Sequence, residues 1–386
     1  DKLTMGENVK KFEEEFAKKF NFDYCIMVNS GSSANLLALC VLCNPKRTNY
    51  LRSGDKVLVP SVCWATSVFP IMQNGLIPIF MDVNKDTLNI NAEDIKKYED
   101  IKGIVLVHIL GTSTNMDEVL KIIEEKNLIV LEDTCESLSS KYNNKYLGGF
   151  GDMGTFSFYF SHHMTTIEGG MITCKTYEDY KFLLSSRAHG WNRYETTKYP
   201  GINNQFCFIN TGYNLRPMET QGAMGLVQLK YIDERNINRN NNYNNIINHI
   251  INDYRNYNII SSITKLENSQ PSWFAIPLFL SAEYLDIVPE YLDYLEKNGI
   301  ENRPIVTGNF IRQPIIKEIN KDLNPKDFPG AEYIHNLGFY IGCPSHKTYL
   351  TSEIQKISDI IFSFEKFNKL IKFYKAPYKI DKSIPY

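Results

Sequence analysis

Two adjacent histidines, His162 and His163, follow an apolar stretch at residues 154–160 that reads as a buried strand. Polar side chains at the end of such a strand lie where α/β enzymes keep their chemistry. An unperturbed imidazole has a pKa of about 6.5, so it can take up and return a proton at physiological pH. The pair alone also fits a second interpretation, in which one ring makes a structural hydrogen bond and the other faces solvent.

Asp133 ends another apolar stretch, residues 128–133, and Trp64 follows the strand predicted at 55–60. A lone carboxylate at a strand end is costly unless it has a partner. A cationic ring nitrogen of a ligand or a helix N-terminus would each provide that partner, and the position alone does not decide between them. Trp64 can stack on a flat ring, although packing in the core is the commoner use of such a residue.

A run of small polar residues at 29–35 lies between a strand predicted at 24–28 and a helix predicted from Leu36. Free backbone N–H groups at a helix N-terminus bind anions, so Gly31 and Ser32 are candidates for a phosphate site. A plain N-cap with a tight turn is the alternative. Ser157 faces the same crevice if its strand alternates.

Short apolar strands alternate with helices through the first 230 residues, which predicts an α/β fold with a mostly parallel sheet covered on both faces. An apolar stripe persists through the asparagine-rich residues 233–254, which predicts a long helix there. We expect this helix to connect a large domain, 1–235, to a smaller C-terminal domain, 236–386. At the start of the chain, Thr4 and Glu7 match a capping box.

The bulk composition is that of an ordinary globular protein. The chain of 386 residues has 42 basic and 44 acidic residues, so its net charge of −2 favours neither nucleic acid nor an anionic membrane as partner. The eight cysteines are scattered, and one CxxC at Cys40 and Cys43 has no second pair, so we predict no metal site. Without a secretory signal or a long apolar run, we expect a cytoplasmic protein.

Taken together, these segments resemble the DegT/DnrJ/EryC1/StrS-type sugar aminotransferases, pyridoxal 5′-phosphate (PLP) enzymes that act on nucleotide-linked ketosugars. The matching motifs are Asn-Ser-Gly-Ser-Ser-Ala-Asn (29–35), Leu-Glu-Asp (131–133), Gly-Thr-Phe-Ser (154–157), Glu-Gly-Gly (168–170), Gly-Tyr-Asn-Leu-Arg (212–216) and Arg-Pro-Ile-Val (303–306). The resemblance implies the aspartate aminotransferase fold (fold type I), with a mostly parallel seven-stranded sheet flanked by helices and a smaller α+β C-terminal domain.

The same resemblance implies roles around the cofactor. Gly31, Ser32 and Ser157 would hold its phosphate. Asn214 would reach the phosphate of the neighbouring subunit, which implies a homodimer with shared active sites. Asp133 would pair with the pyridine nitrogen and keep the ring able to accept electrons.

Two further residues complete the implied cofactor site. Trp64 would stack on the ring, and Glu136, one turn beyond Asp133, would lie near the cofactor.

The chain departs from these aminotransferases where they carry the lysine that forms a Schiff base with the cofactor. They carry Lys-Asn-x-x-x-x-Glu/Asp-Gly-Gly, whereas this chain has His162 and His163 at the start of that frame and Glu168 before the two glycines. No lysine lies between Lys145 and Lys175. Because imidazole cannot form an imine with an aldehyde, His162 cannot hold the cofactor as the lysine does.

The histidine frame resembles the 3-dehydratase branch of the family, with further matches at 161–163, 187–191 and 303–310. The resemblance implies that His162 serves as the base while the pyridoxamine form (PMP) removes the C3 hydroxyl of a nucleotide-linked 4-keto-6-deoxy sugar. The product would be a 4-keto-3,6-dideoxy sugar for surface polysaccharide, with ammonia released and L-glutamate regenerating PMP. His189 and Arg216 could contact the substrate or serve as structural caps and salt bridges.

A related branch uses CDP-sugars and carries a [2Fe–2S] cluster bound by C-x-C and C-x7-C. None of the eight cysteines has that spacing, so we expect no iron–sulfur cluster and a GDP-sugar in preference to a CDP-sugar. Two other functions stay open: a nucleotide-sugar aminotransferase that uses another base, and a catalytically inactive protein that binds sugar nucleotides.

Overall fold

The computed structural model describes residues 2–193, 199–252 and 258–367. In chain order its strands are β1 (Tyr24–Val28), β2 (Lys56–Pro60), β3 (Ile77–Met81), β4 (Ile101–Val107), β5 (Ile129–Asp133), β6 (Lys141–Tyr142), β7 (Lys145–Tyr146), β8 (Met153–Ser157), β9 (Gly170–Cys174), β10 (Ile260–Ser261), β11 (Ser269–Gln270), β12 (Ala275–Leu280), β13 (Asn302–Pro304) and β14 (Gly338–Gly342).

The α-helices are α1 (Glu7–Phe20), α2 (Gly31–Leu42), α3 (Ala65–Gln73), α4 (Met116–Lys126), α5 (Tyr177–Ser186), α6 (Glu219–Gln228), α7 (Ile232–Asn252), α8 (Val288–Lys297), α9 (Ile316–Ile319), α10 (Pro329–Leu337) and α11 (Thr351–Phe362). No helix within the described ranges combines the length and the apolar character needed to cross a membrane.

Seven strands form the central sheet in the order β1-β9-β8-β5-β4-β2-β3. All neighbouring strands are parallel except β9, which is antiparallel to both β1 and β8. The predicted α/β fold with a mostly parallel seven-stranded sheet is therefore confirmed. The carboxyl ends of β4, β5 and β8 lie side by side, where ligands bind in sheets of this kind.

Strand β1 shows why the strands are apolar along their whole length. Cys25 and Met27 pack into one core with the aromatic residues of α1, whereas Ile26 and Val28 pack into the main core on the opposite face. A strand that is buried on both faces cannot alternate polar and apolar residues.

The capping box predicted at Thr4 is wrong. Helix α1 begins at Glu7, and its N-cap Gly6 has no side chain to offer. Instead, the Glu219 carboxylate of α6 accepts hydrogen bonds from the backbone N–H groups of Gly6 (2.7 Å), Asn8 (2.9 Å) and Val9 (3.1 Å). A tertiary contact therefore replaces the local cap that the sequence pattern suggested.

Helix α7 leads to a second, four-stranded antiparallel sheet in the order β10-β12-β14-β13. The loop that follows β13 reaches back to the central sheet: the Phe310 N–H donates to the Ser61 carbonyl (2.7 Å), and the Thr307 hydroxyl donates to the Cys63 carbonyl (2.9 Å). This loop closes one side of the crevice at the strand ends. The domain boundary at 235/236 stays a prediction.

Candidate active site

A cavity of about 470 Å³ opens at the carboxyl ends of β4, β5 and β8. Seven of the predicted site residues line it: Gly31, Ser32, Trp64, Asp133, Glu136, Ser157 and His162. A larger cavity of about 570 Å³ lies beside the β6–β7 hairpin and contains none of the predicted site residues. The smaller cavity is therefore the candidate active site.

Asp133 forms the floor of this cavity and is held in one orientation. Its carboxylate accepts hydrogen bonds from the Asn35 amide (2.8 Å) and the Ser67 hydroxyl (2.7 Å), and from the backbone N–H of Cys135 (3.2 Å). Asn35 is itself fixed because its Oδ1 accepts from the Thr155 hydroxyl at 2.6 Å. The charge of Asp133 is thus fixed at the strand end by neutral donors, and no cation of the described residues pairs with it.

Helix α2 begins at the cavity with Gly31, and Ser30 is its N-cap, whose hydroxyl accepts from the Ser33 N–H (3.0 Å). A Cβ on residue 31 would lie 2.6 Å from the Ser157 Cβ, so only glycine allows β8 to approach the helix this closely. The Ser32 hydroxyl extends the cradle by donating to Thr66 (3.2 Å). Hydroxyl groups and a helix N-terminus together suit a phosphate.

Trp64 stands at the N-cap of α3 with 57% of its surface exposed. Core packing, the alternative use, is therefore excluded for this residue. Its indole forms part of the cavity wall, where it is free to cover a flat ligand ring.

Glu136 lines the cavity next to the loop after β4. Its Oε2 accepts from the Leu110 N–H at 3.0 Å. Burial raises the pKa of Glu136 to about 7, and the nearby Asp133 charge adds to this although the backbone N–H opposes it. Near neutral pH this carboxyl group can therefore hold a proton and donate a hydrogen bond.

His162 lines the cavity from the histidine turn, which we define as residues 158–169. The turn is anchored at its end, since a Cβ on Gly170 would lie 2.3 Å from the Ser30 carbonyl oxygen. The buried Nδ1 of His162 has no hydrogen-bond partner within the described part of the chain. Burial lowers the pKa of His162 to about 4, although Asp133 raises it, so the ring is a neutral base at physiological pH.

His163 does not line the cavity. Its ring is 2% exposed, and its Nε2 lies 2.8 Å from the Ser272 carbonyl oxygen, to which it donates. Burial lowers the pKa of His163 as well, so the ring is a neutral structural donor. His163 therefore makes the structural hydrogen bond of the second interpretation, whereas His162 lines the cavity and its role as a base stays a prediction.

Three predicted residues lie away from the cavity in this chain: Asn214, His189 and Arg216. The side chains of Asn214 and His189 are exposed, and that of Arg216 is half-buried. The backbone of residues 188 and 214 is joined by a single β-bridge, so these residues share one surface. The structure of one chain does not bring them to the site, and their predicted roles stay predictions.

Sequence reasoning missed residues that orient Asp133 and residues that close the cavity. Asn35 and Ser67 orient Asp133, and a buried asparagine inside an otherwise apolar helix was the available signal for the first of them. Phe274, directly before β12, and Tyr340, in β14, line the cavity from the side of the second sheet. Both are ordinary aromatic residues of apolar stretches, so nothing in the local sequence marks them.

The chain belongs to the DegT/DnrJ/EryC1/StrS aminotransferase family, whose model matches residues 1–362. It is 36% identical over 373 residues to the GDP-4-keto-6-deoxy-D-mannose 3-dehydratase of Escherichia coli O55:H7, with 93% of each chain covered. It is 37% identical over 374 residues to the Yersinia pseudotuberculosis protein of that name, with 93% of this chain and 92% of the other covered.

A solved structure of GDP-4-keto-6-deoxymannose-3-dehydratase with a trapped PLP-glutamate geminal diamine has a TM-score of 0.86 to this chain. The two are 35% identical, and the match covers 93% of this chain and 94% of the other. The similarity extends through both sheets.

The residues of the cavity fit a pyridoxal cofactor. The cradle formed by Gly31 and Ser157 suits its phosphate, and the fixed Asp133 carboxylate offers the acceptor that a protonated ring nitrogen needs. None of the residues that line the cavity is a lysine, so the site holds no amine to bond the cofactor aldehyde. Within the described ranges, no group of three or more His, Cys, Asp or Glu side chains is arranged to hold a metal ion.

Proposed function

We propose that this chain is a PLP/PMP-dependent sugar 3-dehydratase. It removes the C3 hydroxyl of a GDP-linked 4-keto-6-deoxy sugar to give a 4-keto-3,6-dideoxy sugar, releases ammonia, and uses L-glutamate to regenerate PMP. The observation that carries the proposal is the neutral imidazole of His162 in the cavity, at the position where the family's aminotransferases have their lysine. The relatives named 3-dehydratases match over more than nine tenths of the chain, which supports the same reaction.

Each residue of the site has a separate role in the proposed reaction. When bound, the cofactor supplies the amino group that condenses with the sugar ketone and the ring that accepts electrons. His162, neutral at physiological pH, would accept the proton from the carbon attached to the cofactor ring and donate a proton to the C3 hydroxyl of the sugar, which would leave as water. Asp133 keeps the ring nitrogen protonated, and its three donors prevent it from turning away. Gly31 and Ser32 hold the phosphate so that the reacting carbon stays near the imidazole.

One experiment tests this function. The protein is incubated with PLP, L-glutamate and GDP-4-keto-6-deoxymannose, while ammonia release and the mass of the sugar product are followed. We expect one ammonia per molecule of 3-deoxy product. An aminosugar product without ammonia would instead establish the aminotransferase, and binding without any product would establish the inactive protein. Repeating the assay with the CDP-linked sugar measures the expected preference for GDP.

We further infer that the active unit is a homodimer in which Asn214 completes the neighbouring site. Supporting this, Phe206 stacks on Trp191 and Phe208 packs against it at a tilt, and the two are 62% and 57% exposed, which leaves an apolar patch on the surface that carries Asn214. Burying such a patch against a second copy would remove it from water.

Mixing of two inactive variants tests the shared site. Asn214→Ala and His162→Asn are each expected to be inactive alone, and mixed dimers should regain up to about a quarter of the activity if the two residues serve one site from different chains. A mixture that stays inactive, although subunits exchange, would contradict the sharing. The cytoplasmic location expected from the sequence stays a prediction.

A further inference from the structure

Residues 272–274, here called the clamp segment, lie between β11 and β12 and pack against both histidines. The Phe274 ring meets the His162 ring edge to face, with centroids 5.2 Å apart and planes at 79°, and lies 5.7 Å from the His163 ring. The Ser272 carbonyl accepts the hydrogen bond from His163. The clamp segment therefore restricts the rotation of the His162 imidazole.

The loops that follow β4 and β5 hold the clamp segment from one side. The Phe274 N–H donates to the Leu110 carbonyl (3.2 Å), and the Ser272 N–H donates to the Ser140 hydroxyl (2.9 Å). Gly111 allows this approach, since a Cβ there would lie 2.0 Å from the Ser272 carbonyl oxygen.

Helix α7 holds the clamp segment from the other side through Arg239. One guanidinium nitrogen of Arg239 lies within hydrogen-bond distance of the carbonyl oxygens of Trp273 (3.1 Å), Phe274 (2.8 Å) and Cys343 (3.1 Å). One turn further along α7, the Tyr243 ring stacks on Trp273 with centroids 3.5 Å apart.

Arg239 is an unusual choice for a purely structural contact. It is 7% exposed, and within the described residues no carboxylate forms an ion pair with it. A buried cation without an acid partner costs free energy, which an uncharged side chain of similar size would avoid. A role for the charge would explain why the site tolerates this cost.

We propose that Arg239 is a positioning residue for His162: it locks the clamp segment, and through the Phe274 ring it fixes the imidazole that serves as base. The inference rests on the proposed function, because that function makes His162 the base. The charge of Arg239 acts in the same direction as burial, which is the larger cause of the lowered pKa of His162, and it also lowers that of His163.

Among the charges around this pair, Asp133 has a larger effect on the pKa of His162 than Arg239 and acts in the opposite direction, so Arg239 offsets part of the effect of Asp133. Asp133 faces His162 and raises its pKa, whereas Arg235, on α7 one turn before Arg239, adds a second positive charge beside Arg239. Removing the charge of Arg239 should therefore raise the pKa of His162.

Arg239→Met tests the proposal, with Arg235→Met as the control that removes a cation from the same helix. In Arg239→Met we expect kcat to fall about tenfold while KM for the sugar changes less than about twofold, because an orienting contact acts on the reacting geometry more than on binding. In the PLP-loaded protein with ¹³C-labelled histidine, the His162 signal, assigned by its loss in His162→Asn, should titrate about half a pH unit higher. Arg235→Met should change kcat less than about twofold.

An Arg239→Met protein that keeps its kcat and its His162 titration, and only melts at a lower temperature, would overturn the proposal. If that variant does not fold, Phe274→Leu replaces it, since it removes the ring and leaves the buried charge and its carbonyl partners in place. An unchanged kcat in Phe274→Leu would also overturn the proposal. The NMR titration does not depend on the sugar reaction, so a failure of the proposed function and a failure of this inference give different results.

Discussion

Asp133 and His162 face the same cavity, but their surroundings are opposite in kind. Three donors hold the Asp133 carboxylate in one orientation, whereas the buried Nδ1 of His162 has no partner within the described residues. The fixed charge lies at a strand end of the central sheet, and the base lies on a turn that packs against a segment from beyond α7. The difference separates two tasks: Asp133 must not move, and His162 must keep its capacity to exchange a proton.

The largest effect should come from His162→Asn, which keeps a polar side chain and removes the titratable ring. We expect the rate of ammonia release to fall by about 10²- to 10⁴-fold, the usual contribution of a general base, while PLP binding measured by absorbance is retained. His163→Asn is the matched control, because within the described residues the side chain of His163 hydrogen-bonds the clamp segment and does not line the cavity, and the rate of this variant should fall less than tenfold. Equal losses in both variants would erase the distinction between the two histidines.

A smaller loss of reaction rate is expected from changes at Asp133, which forms the floor of the cavity. Asp133→Asn removes the charge that keeps the ring nitrogen protonated, and the rate should fall about 10²-fold. Ser67→Ala keeps the carboxylate but removes one of its three donors, so we expect a loss of about tenfold or less. Single-turnover measurements with glutamate alone compare the two without the sugar. If Ser67→Ala slows the reaction more than Asp133→Asn, the orientation of the Asp133 carboxylate matters more for the rate than its charge.

A change in the phosphate cradle formed by Gly31 and Ser157 should weaken the binding of PLP rather than slow the reaction. A Cβ added by Gly31→Ala would lie 2.6 Å from the Ser157 Cβ and force the two apart, so PLP affinity should weaken about tenfold. Gly342→Ala is the control, since nothing lies within 4 Å of a Cβ there. Fluorescence titration with PLP gives both dissociation constants, and equal values would contradict the cradle.

The smallest expected effect is on the pH dependence of the free energy of unfolding. The pKa of His162 is lowered to about 4 in the folded protein, so the unfolded chain binds a proton at this residue more tightly than the folded chain does. The stability that comes from burying the neutral ring is therefore complete above about pH 6.5 and is lost as the pH falls toward 4. The slope from this residue is at most about 1.4 kcal/mol per pH unit. Urea unfolding between pH 4 and 7 should therefore be less pH-dependent in His162→Asn than in the unchanged protein. An identical slope would show that the imidazole is not buried as described.

The sequence predicted the floor and the cradle well because parallel strands bring their carboxyl ends to one edge. Asp133, Ser157 and Gly31 each follow or end an apolar strand, so their convergence followed from the alternating pattern. The roles of the two histidines could be divided only after the frame around them was compared with relatives. The reversed direction of β9 was not anticipated, since a short apolar run carries no signal of its orientation.

What the sequence could not predict depends on contacts between distant segments. Asn35 meets Asp133 across 98 residues, and Glu136 meets the backbone of Leu110 in a loop whose path is irregular. The clamp segment comes to the cavity only after α7 has turned the chain back. Each of these contacts requires the tertiary structure, and no local pattern in the chain encodes them.

The contact of Glu219 with the first helix has a consequence for folding. The carboxylate that satisfies the first N–H groups of α1 is 213 residues away from Gly6 in the chain, so this helix end gains its stabilisation only after α6 has docked. Contacts across such long sequence separation form late and slow the folding of a chain. During synthesis, the first turn of α1 is therefore secured only after all seven strands of the central sheet and α6 itself have been made.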